Sequence, residues 1–358
     1  MINKIEIFDL RLPLTRPYRS ALGELTELTT LIIRLVDDGN QEAYGETTSA
    51  LGYSWEGPED VWDLALRKGP ELPGKGLRAA SELFAGEQMS FPFGVTSWLT
   101  ALELLEKEPL LEPTEQETLV PLTGLVNAFR IEEVPDIVEK ALASGYKSLK
   151  VKVGFNIDED IRRVKAVQEV AEQRAKIRID ANQAYTFDQA ALFVNSIDPD
   201  GIELFEQPFE KDDWGAMTEL KKTSPLPLML DESIYHDEEI ERSAREDCAH
   251  YLKFKLMKAG SARNLANYVE RTRELGMKVV VGNGVASDLG CYHEALVAAN
   301  LGIETAGEGN GFLKIKESLL KSPLRFEDGA IVLEPGAKPQ IDRKKLESFC
   351  IRSESWQV

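Results

Sequence analysis

Apolar and polar residues along the chain change their spacing near residue 110, and that change divides the molecule. Ile5, Ile7 and Leu10 alternate roughly with polar residues, and Leu31, Ile32, Ile33, Leu35 and Val36 form a second β-rich run. The second run ends at Asp37-Asp38-Gly39-Asn40, residues that tolerate positive φ, which predicts a hairpin into Ala43-Tyr44-Gly45-Glu46. The intervening Arg16 to Glu24 shows little periodicity and reads as a loop. From Pro58 to Leu111 the spacing becomes helical, with Val61, Leu64 and Leu66, then Leu99, Leu102 and Leu105. The polar, proline-bearing stretch around Pro109 and Pro113 marks a boundary.

Beyond it, short apolar runs alternate with amphipathic stretches, the mark of βα units around a parallel sheet. Strands are predicted at 119–126, 148–153, 177–180, 202–206, 228–231, 251–255, 278–282 and 303–305. Eight such units predict an α/β fold of the (β/α)8 type, a modified TIM barrel, with an N-terminal α+β capping domain. A doubly wound open sheet is the runner-up, but no strand is followed by a Gly-rich dinucleotide fingerprint. The run Ala330-Ile331-Val332-Leu333 between Asp328-Gly329 and Pro335-Gly336 is a strand with no barrel helix after it. The expected organisation is therefore a cap at 1–115, a barrel at 116–324, and a segment at 325–358 packing back on the cap.

Composition narrows the function. The 358 residues carry a formal charge of −19, and no basic patch offsets it, which disfavours nucleic acid and anionic membranes as partners. Cys248, Cys291 and Cys350 are few, odd in number and without ligand spacing, in keeping with a reducing cytoplasm. The N-terminus lacks the pattern of a signal peptide, and no run reaches the roughly 20 apolar residues of a membrane span.

Charged residues close successive strands: Lys152, Asp180, Glu206, Asp231 and Lys255, at separations of 28, 26, 25 and 24 residues. In a parallel barrel these strand ends meet on one face, where active sites of the fold sit. Three carboxylates converging in a buried mouth repel one another unless a cation compensates. All-oxygen ligation by Asp180, Glu206 and Asp231 suits Mg2+, with Mn2+ as the alternative, better than Zn2+, because no His or Cys joins them. Lys152 and Lys255 then flank the ion from opposite sides. That geometry suggests removal of a proton next to a substrate carboxylate, the enediolate being stabilised by the ion as a Lewis acid.

The motifs Lys150-Val151-Lys152, Asp180-Ala181-Asn182-Gln183, Glu206-Gln207-Pro208, Asp231-Glu232-Ser233 and Lys255-Leu256-Met257-Lys258-Ala259-Gly260 resemble those of the enolase superfamily, muconate lactonizing enzyme subgroup, within the mandelate racemase/muconate lactonizing enzyme family. The resemblance extends over nearly the whole chain. It implies Asp180, Glu206 and Asp231 as metal ligands, Lys152 and Lys255 as the catalytic acid and base, and Lys150 as a supporting charge. It also implies that Arg16 to Glu24 and Thr47 to Trp55 are capping loops over a small carboxylate substrate, with Arg19, Tyr53, Asp288, Glu308 and Asn310 as candidate substrate contacts. Homo-oligomers are common in such barrels by the same resemblance.

Two departures bear on the substrate. Ala286 stands where the family often has an acid, with Asp288 nearby. Glu308-Gly309-Asn310 stands where dipeptide epimerases carry Asp-x-Asp for the substrate ammonium. None of His236, His250 and His293 falls at a strand end, which argues against a His/Asp dyad. The expectation is a racemase or epimerase of an N-acyl amino acid or dipeptide-like substrate. A dehydratase of the o-succinylbenzoate synthase kind and a muconate-type cycloisomerase share the same five residues. A Schiff-base aldolase on Lys152 needs no converging carboxylates, and a silent metal-binding barrel would carry the motifs without turnover.

Overall fold

The computed structural model covers residues 1–358 and describes all of them except 21–22, 50–54 and 129; at Tyr18, Arg19, Ser20 and Gly23 it describes the backbone alone. The first three strands, β1 (Ile2–Ser20), β2 (Gly23–Asp37) and β3 (Glu42–Ser49), form an antiparallel meander. The stretch read as a loop at Arg16 to Glu24 is instead the far end of the β1/β2 hairpin, pairing Tyr18 with Leu25 and Arg19 with Glu24 beyond a break in register between Pro13 and Tyr18. Apolar periodicity fades there because the arm leaves the core, which ends near Leu14 and Leu28. The helix Pro92–Leu105 packs on this sheet so closely that a Cβ on Gly45 would lie 1.8 Å from the Ser97 carbonyl oxygen.

The run 119–126 is two strands, not one. β4 (Thr118–Pro121) pairs antiparallel with a late strand, whereas β5 (Thr123–Val126) opens the parallel sheet. Leu122, at the switch, donates its N–H to the Gly329 carbonyl, one rung beyond the β4 ladder, and also forms an isolated parallel bridge with Gly307. The sheet then runs in chain order through β6 (Ser148–Lys152), β7 (Lys176–Asp180), β8 (Ile202–Glu206), β9 (Leu228–Leu230), β10 (Tyr251–Phe254) and β11 (Lys278–Val281). That order is a curled barrel wall and excludes the doubly wound alternative.

The eighth strand expected at 303–305 does not form. The gap between β11 and β5 is closed at Gly307, whose N–H donates to Pro121 O and whose carbonyl accepts from Thr123 N, both at 2.8 Å. A Cβ there would meet the Val281 carbonyl oxygen at 2.5 Å, so a side chain would push the seam apart. The neighbouring Ala306 carbonyl is already an acceptor for Arg178 inside the barrel.

β12 (Arg325–Glu327) and β13 (Ala330–Leu333) form a small sheet with β4, and β14 (Cys350–Gln357) pairs with β1. Four buried carboxylates sit on helix N-termini or neighbouring amides. Glu46 accepts from Ser287 and Gly290, Glu56 from Phe93 and Gly94, Glu103 from Ala262 and Arg263, and Glu294 from Leu256 and Asn283. Unpaired backbone N–H groups and the helix dipole favour an acid at such a place. Burial still pushes Glu103 and Glu294 up to about 7. His293, buried in the same helix Asp288–Asn300, is pushed down to about 4 by loss of water.

A Gly307→Val substitution should cost about 3 kcal/mol, at the upper end for overpacking; Gly302→Ala, with open space around it but φ at +60°, should cost about 1. Urea unfolding of both variants checks this. His293 gives a pH dependence. Because its folded-state value is depressed, the unfolded chain takes up the proton first as pH falls below 6.5, and stability is lost between there and pH 4. At 1.36 kcal/mol per unit the loss is about 3 kcal/mol. The difference in unfolding free energy between wild type and His293→Leu should change by that amount across the window and stay flat above pH 7.

Candidate active site

Strand alternation assembles the site in layers. On β6, Leu149 and Val151 face the surrounding helices, so Ser148, Lys150 and Lys152 face inward; on β7, Arg178 and Asp180 do the same. The lower interior is half apolar, with Leu204, Met229, Tyr251 and Val280 in contact, and half polar, with Arg178 bridging Glu203, Thr123 and the Ala306 carbonyl. Above this floor lie the charges. Asp180 and Glu206 are register partners, and Asp231 lies two residues beyond Met229, the partner of Glu206.

Lys150 Nζ lies 2.8 Å from Asp180, 2.6 Å from Glu308 and 2.7 Å from Glu206 Oε2, the last at an angle that makes no hydrogen bond. Lys152 Nζ reaches Asp180 at 2.7 Å and also donates to Asn182, whose amide in turn donates to Glu232. Across the mouth, Lys255 Nζ donates to Asp231 at 2.8 Å, and Lys258 donates to the Asp231 carboxylate and carbonyl while lying 4.3 Å above the Tyr235 ring. Asn182 and Gln207, which directly follow this rim, hold φ of 42° and 37°. Left-handed backbone at non-glycine residues costs energy, and here it turns the chain sharply after β7 and β8.

Electrostatics follow from burial and these contacts. Burial alone would raise every acid here, but the lysines outweigh it and hold Asp180, Asp231 and Glu308 below the usual carboxylate range. Glu206 goes the other way, raised by burial and by the charge of Asp180. Lys150 and Lys253 are raised by their carboxylates against desolvation, whereas burial and neighbouring Lys255 push Lys258 down to about 8.

Lys150, Lys152, Asp180, Glu206, Asp231, Lys255 and Glu308 are thus brought together as the sequence led us to expect. Asn310 lies at the edge, its Nδ2 donating to the Thr123 carbonyl and its buried Oδ1 without a hydrogen bond among the described residues. Asp288 is not in the site. It opens the helix Asp288–Asn300 and accepts from Ser318 Oγ and the Leu319 and Leu320 amides, so its carboxylate is spent holding that segment. Tyr53 lies outside the described residues, as does the side chain of Arg19.

Sequence reasoning missed Lys253. Its ammonium is buried against Glu206 at 2.9 Å, Glu308 at 2.8 Å and Asp231 at 3.2 Å. The signal was present: Lys253-Phe254-Lys255 repeats the Lys-x-Lys spacing of residues 150–152, and a period of two puts both lysines on the inner face.

The donor set fits a hard divalent cation: three carboxylates on neighbouring strand ends, oxygen only, shielded from water. As arranged, each of these acids is turned onto lysine nitrogens, and among the described residues no three acid, imidazole or thiol groups converge on one point. Beside the cluster, a cavity of about 220 Å³ is lined by Arg16, Asn127, Tyr146, Asn310 and Lys314, and among the described residues no carboxylate lines it.

Comparison with known proteins agrees with this architecture. Residues 133–341 match the family described as enolase C-terminal domain-like. The chain is 26% identical to an N-succinyl-L-Arg/Lys racemase of Bacillus cereus, covering 98% of each, and 24% identical to muconate cycloisomerase 1 of Pseudomonas putida, covering 98% and 99%. The crystal structure of a dipeptide epimerase from Cytophaga hutchinsonii, complexed with Mg and D-Ala-L-Val, superposes with a TM-score of 0.88 over 99% of each chain at 19% identity. The matched barrel, its rim of alternating acids and lysines and the antiparallel cap together place this chain in the enolase superfamily, among its muconate lactonizing and racemase enzymes.

Proposed function

We propose that the protein is a divalent-cation-dependent isomerase that moves the α-proton of an N-acylated amino acid, interconverting its stereoisomers. The observation that carries this reading is the placement of Lys152 and Lys255. They rise from β6 and β10, four strands apart around the barrel, with the carboxylates of Asp180, Glu206 and Asp231 on the rim between them. A cation held by those three acids would act as a Lewis acid toward the substrate carboxylate and the charge that develops on it.

The chain's own groups do the rest. A substrate lying between the two lysines presents one face of its α-carbon to each, so one Nζ takes the proton and the other returns one from the opposite side, which inverts the centre. Asp180, with Asn182, orients Lys152, and Asp231 orients Lys255. Burial excludes bulk water from the carbanionic species.

Substrate choice follows from Glu308. Both its oxygens are engaged, Oε1 by Lys150 and Oε2 by Lys253, so it does not offer a free carboxylate to a substrate ammonium. The adjoining cavity holds Arg16 and Lys314 and, among the described residues, no acid. These features favour an acylated, uncharged substrate nitrogen over the free amine of a dipeptide; the name of the Bacillus cereus relative describes a substrate of that kind.

The test is deuterium uptake from D2O with Mg2+ present, read by mass spectrometry and chiral chromatography on separate N-acyl amino acids and dipeptides. Wild type should label both enantiomers of an N-acyl amino acid. Lys152→Ala and Lys255→Ala should each lose at least 100-fold on one enantiomer, opposite in the two variants. Exchange that survives loss of both lysines, or that is confined to dipeptides, would overturn the proposal.

A further inference from the structure

The unexpected lysine has a bearing on the cation itself. Lys253 projects from β10 into the barrel with a side chain 2% exposed, and its Nζ touches two of the three acids assigned to the ion, Glu206 and Asp231, besides Glu308. An ammonium at 2.9 and 3.2 Å from those carboxylates takes up lone pairs a divalent ion would use, and at this range and burial its charge repels the ion. Among the groups of the mouth, Asp180, Glu206, Asp231, Glu232 and Glu308 carry five formal negative charges and Lys150, Lys152, Lys253, Lys255 and Lys258 five positive ones. The cluster is therefore formally balanced before any cation enters, and Lys253 supplies one of its five positive charges.

Glu308 is the other half of the arrangement. It comes from the segment that follows Gly307, outside the three-acid set, and offers Lys253 an oxygen at 2.8 Å. A buried ammonium without such a partner would stay on Glu206 and Asp231, because leaving a charge buried and unpaired is costly.

We propose that Lys253 and Glu308 form a resident ion pair that sets the affinity of the cation site: Lys253 weakens it by sharing Glu206 and Asp231, and Glu308 draws the ammonium aside so that the ion can be held. This rests on reading Asp180, Glu206 and Asp231 as the cation ligands. The pair thus determines how much divalent ion the protein needs, independently of the lysines that move protons.

Mn2+ binding to the full chain without substrate, measured from the electron paramagnetic resonance signal of the free ion, tests this. Lys253→Met should tighten binding at least tenfold, and Lys253→Arg, which keeps the charge, should stay within threefold of wild type. Glu308→Gln should weaken binding at least tenfold, and that loss should shrink below threefold when Lys253→Met is also present. Glu308→Gln protein that binds Mn2+ as tightly as wild type also overturns the pair, an outcome that needs no Lys253→Met protein. Lys253→Met protein that binds Mn2+ no more tightly than wild type, or a Glu308→Gln loss that persists without Lys253, overturns the pair while leaving the cation site standing. Binding that is indifferent to Asp231→Asn overturns both.

Discussion

Burying charge is the constraint on which this molecule is arranged. Asp180, Glu206 and Asp231 are almost wholly withdrawn from water and Glu308 largely so, and each is tolerable there only because an ammonium or an amide meets it. Removing one partner strands the others, so the layer behaves as a unit rather than as a set of independent pairs. The ends of β7, β8 and β9 supply the acids, the flanking strands β6 and β10 supply lysines in two layers, and the barrel wall keeps the whole at a fixed spacing.

The same requirement explains how the site can be both stable and reactive. An isolated buried lysine would give up its proton, and an isolated buried acid would keep one; in company, Asp180 and Asp231 stay ionised while Glu206 is pulled the other way. Neighbouring groups of one chemical type are thus shifted in opposite directions by position alone.

Much of this was readable in the sequence, and the exceptions have physical causes. Strand ends about 25 residues apart carry acids and lysines in step, and that rhythm survives because each βα unit has nearly the same length. The rhythm also hid Lys253, which sits one layer below the motif that drew attention to Lys255. Asp288 misled because a carboxylate opening a helix can serve the helix, a ligand or a distant segment, and only its contact with residues 318–320 decides. The apolar run 119–126 could not reveal that it changes sheets at Leu122, since both sheets demand apolar residues. The eighth barrel position, expected as a strand at 303–305, is filled instead at Gly307, where a glycine and two hydrogen bonds close the wall with no β-rich run to mark it.

The acids that sit on helix N-termini have a mechanical meaning. Glu46, from the antiparallel sheet, holds the start of the helix after β11, and Glu103, from the helix that covers that sheet, holds the start of the helix after residue 261. The N-terminal layers are therefore riveted to the barrel at two helix ends through side chains buried inside both. Cut away from those layers, the barrel would face water with bare amides and an uncovered apolar surface. The cap is thereby a structural member of the barrel, its acids closing two of the barrel's helix ends.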